Sequence, residues 1–144
     1  MPTIWTIGYE QTTVGDFLAA LRAADVELVA DVRAIAASRR PGFSKSALRA
    51  NLAEAGIGYV HFRALGTPAD GRAAARAGKH AELERIYDGQ LEMPEAIAQG
   101  AELADLAREQ RVALLCYERD PACCHRTLLR EAVLAEFQAV DLLP

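Results

Sequence analysis

Glu118, Cys123, Cys124, His125 and Arg126 crowd one short stretch of this chain, VALLCYERDPACCHRTLLR. A carboxylate, thiols, an imidazole and a guanidinium in one place can hold an anion, move a proton or attack as a nucleophile. Tyr9 with Glu10, Asp31 with Arg33, and Arg63 each follow a short apolar run elsewhere in the chain. Cys124-His125-Arg126 opens a helical pattern, and a helix N-terminus offers free N–H groups and a favourable dipole to an anion. Arg33 and Arg126 are therefore candidate anion clamps, and Tyr9, Glu10 and Arg63 are candidate ligand contacts. Glu118, Asp31, His125 and Cys124 are the candidate catalytic groups, with Glu118 as acid/base and Asp31 orienting Arg126 or a substrate hydroxyl. The expected ligand is small and anionic, nucleotide-like or otherwise phosphorylated, and the expected reaction is hydrolysis or group transfer. The same residue types also suit an internal ion-pair network, Asp31 with Arg33 or Arg126 and Glu118 with Arg126. Sequence leaves both readings open.

Three other chemistries compete. Cys124 beside His125 at a helix start predicts a lowered thiol pKa and a nucleophile. Cys124 and Arg130 have the Cys-x5-Arg spacing of cysteine phosphatases, but the intervening His-Arg-Thr-Leu-Leu lacks a glycine to cradle phosphate. Cys116 reads as core. Metal binding through Cys116, Cys123, Cys124 and His125 is disfavoured, since no Cys-x2-Cys or His-x3-His pair is present and adjacent cysteines converge poorly on one ion. No metal and no cofactor are expected. The alternative from another class is a non-catalytic nucleic-acid-binding or anion-sensing domain, using the basic 33–79 region with Phe43, Tyr59 and Phe62 stacking on bases. His61 reads as a structural histidine, His80 as solvated and Trp5 as core.

Strands and helices must alternate to bring these residues together. Thr3 to Ile7, Glu27 to Val32, Ile57 to Phe62 and the run from Val112 read as strands, with a short last one at Ala139 to Leu143. Val112 to Glu118 is apolar enough to be covered on both faces. Thr13 and Ser44 are predicted N-caps for helices ending near Ala24 and Ala55, with Gly56 as a stop. The Gly, Pro, Ala and Arg-rich segment from Thr67 to Gly78 reads as a mobile lid. A weak helix near His80 to Tyr87 and a firmer one from Pro94 to Gln110 precede the run at Val112. Leu128, Leu129, Ala132, Val133 and Phe137 continue a helical pattern after Cys124. The predicted fold is one three-layer α/β domain over residues 1–144, Rossmann-like or flavodoxin-like. It has a central, mostly parallel sheet of about five strands and helices on both faces. Parallel strands collect the candidate residues on one rim, at their C-terminal ends.

The chain has 144 residues, 51% of them hydrophobic and 25% charged, which suits an ordered globular protein. No run is long and apolar enough to span a bilayer, and MPTIWTIGYE lacks the basic leader of a signal peptide. Three cysteines, two adjacent, do not make a disulfide framework, so a reduced, cytoplasmic protein is expected. The net charge of −4 hides a division. Residues 33–79 carry nine basic against two acidic side chains, and the rest carries seven against eighteen. A basic middle in an acidic chain points to an anionic partner.

Taken in order, Thr6-Ile7-Gly8-Tyr9, Asp31-Val32-Arg33, Pro41-x-Phe43, Leu65-Gly66, Cys116-x-Glu118 and Cys124-His125-Arg126 resemble the domain of unknown function 488 family nearly end to end. That family often has two glycines after its third strand, where this chain has Gly66-Thr67. The resemblance implies a compact α/β domain with a polar pocket and brings no assigned reaction.

Overall fold

The structure is a computed structural model and describes residues 2–121 and 124–144. Five strands form one sheet: β1 (Thr3–Gly8), β2 (Leu28–Asp31), β3 (Gly58–His61), β4 (Val112–Cys116) and β5 (Gln138–Leu142). They lie in the order β3-β2-β4-β1-β5, and every pairing is parallel. The α helices are α1 (Val14–Ala23), α2 (Lys45–Glu54), α3 (Ala69–Arg76), α4 (His80–Leu91), α5 (Pro94–Glu109) and α6 (His125–Val133). A 3-10 turn, Arg63–Leu65, follows β3. The chain is thus a three-layer α/β fold of the Rossmann-like or flavodoxin-like kind.

Crossover handedness sorts the helices. Right-handed connections that run one way along the sheet place α1 and α2 on one face, and those that run back place α3 to α6 on the other. Each face has its own core. Phe17, Leu21, Leu48 and Leu52 pack with Ile7, Val29 and Leu115 on the first, while Tyr87, Leu103 and Leu129 pack with Ile4, Ala30 and Leu114 on the second. Central strands β2 and β4 are buried throughout, as parallel strands covered on both sides must be. The outgoing helices of β1 and β2 leave toward one face and that of β4, which lies between them, leaves toward the other. That reversal opens a crevice at their C-terminal ends.

Several local expectations change. β4 stops at Cys116, with Glu118 two residues beyond, because the Tyr117 carbonyl turns to accept from the N–H groups of Tyr9 and Glu10. Thr13 does cap α1, its hydroxyl accepting from Asp16 N at 3.1 Å. Ser44 occupies the N-cap of α2, yet its hydroxyl bonds to Ser38 N and O and ties the preceding loop instead. The predicted lid is α3, because alanine-rich sequence favours helix and buried Gly71 and Ala74 let it lie against α4. α6 ends at Val133, and Phe137 reaches the core from the turn that follows, its N–H bonded to Leu134 O. No helix among the described residues is long and apolar enough to cross a membrane.

Candidate functional site

Strand register places the site. Gly8 pairs with Cys116, and Val32, one residue past Asp31, donates its N–H to Leu115 O at 3.1 Å. The ends of β1, β2 and β4 are therefore level, and a cleft of about 360 Å³ opens above them. Tyr9, Arg33, Cys116, Glu118, Cys124 and His125 line it, with Thr67, Arg72, Arg76 and Leu83 from the α3–α4 side.

One wall is an ion pair. Asp31 is fully buried and Arg33 is 6% exposed. Asp31 Oδ1 accepts from Arg33 Nε at 2.9 Å, and Oδ2 accepts from Arg33 Nη2 at 2.7 Å, a bidentate fork. Tyr59 OH also donates to Oδ2, at 2.5 Å. Arg33 Nη1 donates to Phe43 O at 2.8 Å and Tyr9 OH at 3.2 Å. Burial opposes the charge on Arg33, but Asp31 holds its pKa above the usual guanidinium value. Burial, then the bond to Asp31, likewise raises Tyr59. Arg33 thus borders the cleft with most of its donors engaged, and neither Asp31 oxygen is free. This is the Asp31–Arg33 half of the internal-network reading.

The floor is different. His125 Nε2 lies 2.7 Å from Val32 O, a group that only accepts, so Nε2 carries a proton and Nδ1 faces the sulfurs. Cys116 Sγ is 3.5 Å and Cys124 Sγ 3.6 Å from Nδ1. The Tyr87 ring meets His125 edge-on at 5.2 Å and fixes its plane, with the Tyr87 hydroxyl anchored on Leu65 O. Cys116 Sγ donates to Glu118 Oε2 at 3.1 Å. Burial and then the charge of Cys116 push Glu118 up to about 7. Burial also opposes Cys116 ionisation, yet the Cys124 hydrogen bond and His125 hold it below the ordinary thiol range. Burial, then Cys116, pushes Cys124 up. Burial and Cys116 thus oppose the lowered pKa expected at Cys124. The liganding atoms of Cys116, Cys124 and His125 all lie within 4.8 Å of one another. They converge because the strand end supplies Cys116 and the helix start supplies the other two, which the expectation based on adjacent cysteines overlooked. Cys123 lies outside the described residues.

Other candidates go elsewhere. Arg126 is fully buried beneath the connection after β4, with Nη2 donating to Arg119 O at 3.0 Å. Its Nε and Nη1 have no partner among the described residues, and it does not line the cleft. Among the described residues it forms no ion pair with Asp31 or Glu118. Glu10 accepts from Arg119 N at 3.1 Å and borders a separate hollow. Arg63 is exposed on another groove. Phe43 and Phe62 are 1% exposed and half-buried Tyr59 is tied to Asp31, so the three do not form the exposed aromatic platform expected for nucleic acid. His61 is a structural histidine, its Nε2 2.6 Å from Arg33 O.

Sequence reading missed Arg72 and Arg76, which share one face of α3 at the i, i+4 spacing that a helical reading of 67–78 would have exposed. Cys116 is buried as expected, but it is the last residue of its strand and also borders the cleft.

Residues 13–133 match the family described as Domain of unknown function DUF488. The chain matches no curated protein and no solved structure.

Proposed function

This chain belongs to the domain of unknown function 488 family, whose description carries no reaction, and from the chemistry of the cleft we propose an enzyme acting on a small phosphorylated or nucleotide-like anion by hydrolysis or group transfer. What supports the reading is one arrangement: Arg33, Arg72 and Arg76 border a crevice whose floor holds Glu118, Cys124 and His125. Arg76 is exposed at the mouth, and Arg72 uses Nη1 on Thr67 O at 2.9 Å. These two meet the anion, and Arg33 adds a fixed positive charge that Asp31 orients. Asp31 and Arg126 are positioning residues, since neither touches the cleft. Glu118 is the carboxyl that faces the ligand and moves the proton.

Thermal unfolding against nucleotides, sugar phosphates, inorganic phosphate and short oligonucleotides tests this. A ligand at 100 times its Kd adds about 2.7 kcal/mol, a rise of roughly 5–10 °C for a chain of this size. One phosphorylated class should produce that shift in the wild type and not in Arg72→Ala/Arg76→Ala. Glu118→Gln should keep the shift while turnover of that ligand falls roughly 10²–10⁴-fold. A shift from oligonucleotides alone overturns the small-anion reading in favour of a nucleic-acid binder.

A further inference from the structure

The floor of the cleft carries a second, separate possibility: we propose that Cys116 Sγ, Cys124 Sγ and His125 Nδ1 bind one zinc ion, with its fourth position open to the cleft. The inference goes beyond the anion reading and does not depend on it.

Geometry makes the case. Zinc bonds of about 2.3 Å to sulfur and about 2.0–2.1 Å to nitrogen, at a tetrahedral angle, separate S and N by about 3.5 Å. The two sulfurs lie 3.5 and 3.6 Å from Nδ1. Nδ1 has one lone pair, directed along the ring bisector, so it serves one thiol well and cannot serve both. A cation among these three atoms, which lie within 4.8 Å of one another, engages all of them at once.

The supporting shell fits too. A histidine that ligates through one nitrogen commonly donates its other N–H to a backbone carbonyl, which fixes ring and tautomer. Val32 O does this at 2.7 Å from Nε2. Tyr87 packs on the ring from the α4 side. All three ligands are at least nine-tenths buried, at 5%, 4% and 7% exposed, yet each borders the cleft, which supplies a route for the ion.

Donor type selects the metal. Two thiolates and an imidazole disfavour magnesium and calcium and suit zinc. Two thiolates also neutralise the ion's charge, which a buried site needs. Binding releases the thiol protons to solvent, so affinity rises with pH. Three protein ligands with a fourth site facing an opening is the pattern of zinc sites that hold an exchangeable molecule. Glu118 Oε2, 3.1 Å from Cys116 Sγ, stands beside that position.

The test uses the full chain kept reduced with a phosphine, stripped of metal and titrated with zinc against a chromophoric chelator, then with cobalt(II). One zinc per chain is expected, and the cobalt form should show the thiolate charge-transfer absorption of tetrahedral sulfur ligation. Cys116→Ser and Cys124→Ser should each weaken zinc binding by more than the roughly 10–100-fold that loss of a supporting partner costs. X-ray absorption on the wild-type zinc form needs no variant and should count two sulfurs and one imidazole. Fully reduced wild type that takes up no zinc, or binds it without sulfur in the first coordination sphere, overturns the proposal. Phosphate-ligand shifts measured on the metal-free protein report on the anion reading alone, so either idea can fail without the other.

Discussion

Asp31 shows how one residue type carries two meanings. At the end of a parallel strand a carboxylate is a fair candidate base, yet both its oxygens are taken by Arg33 and Tyr59. Removing one partner of a buried pair strands the other charge, which typically costs about 3–5 kcal/mol. Asp31→Ala should therefore lower the unfolding free energy by about that much in urea titrations. A loss under 1 kcal/mol would show that Arg33 finds solvent or another acceptor. Tyr59→Phe removes only a bond to a charged acceptor and should cost about 1.5–3 kcal/mol in the same assay. Glu118 differs from Asp31 in having a cleft-facing carboxyl whose partner is a thiol. On the proposed function, activity falls to Glu118, and stability to Asp31.

At the scale of elements, the site depends on how closely the ends of β1 and β4 approach. A Cβ on Gly8 would lie 1.8 Å from the Glu118 carbonyl oxygen and 2.9 Å from Arg126 Nη1. Only glycine lets the connection carrying Glu118 cross there. Gly8→Ala should destabilise the protein by at least the roughly 1–3 kcal/mol of an overpacked core, and should displace Glu118 enough to weaken ligand binding. Normal stability by denaturation and normal ligand affinity would refute that crossing as the constraint. The caps make a paired comparison. Thr13→Ala should cost about 0.5–2 kcal/mol through α1, because its hydroxyl holds a first-turn N–H. Ser44→Ala instead frees the Ser38 loop, and its effect should appear as faster hydrogen exchange at Ser38 rather than in α2.

Across the whole molecule, one sheet serves two cores. Adjacent residues of each strand face opposite layers, so Val29 and Ala30, or Leu114 and Leu115, belong to different clusters. Neither layer can lose its packing without exposing the strands that support the other. Residues 1–144 should then unfold in a single cooperative step, with far-UV and near-UV circular dichroism transitions coinciding. Two separated transitions would divide the chain into more than one unit.

Hydrophobic period and punctuation were enough to read the layers. Val112 to Cys116, Leu28 to Asp31 and the spacing of Phe17 and Leu21 dictate their elements locally, and parallel strands put their polar ends on one rim. Local sequence also sufficed for the Asp31–Arg33 pair as one of two stated alternatives, since the residues are two apart. Strand order was not legible, because it depends on which buried faces pack best over long separations. That order sets β4 between β1 and β2 and brings His125 Nε2 within 2.7 Å of Val32 O. Arg72 and Arg76 reach the mouth because α3 packs on α4, a contact between two weak helices that periodicity alone did not rank. Local chemistry determined which groups the chain offers, and long-range packing decided which of them face one another.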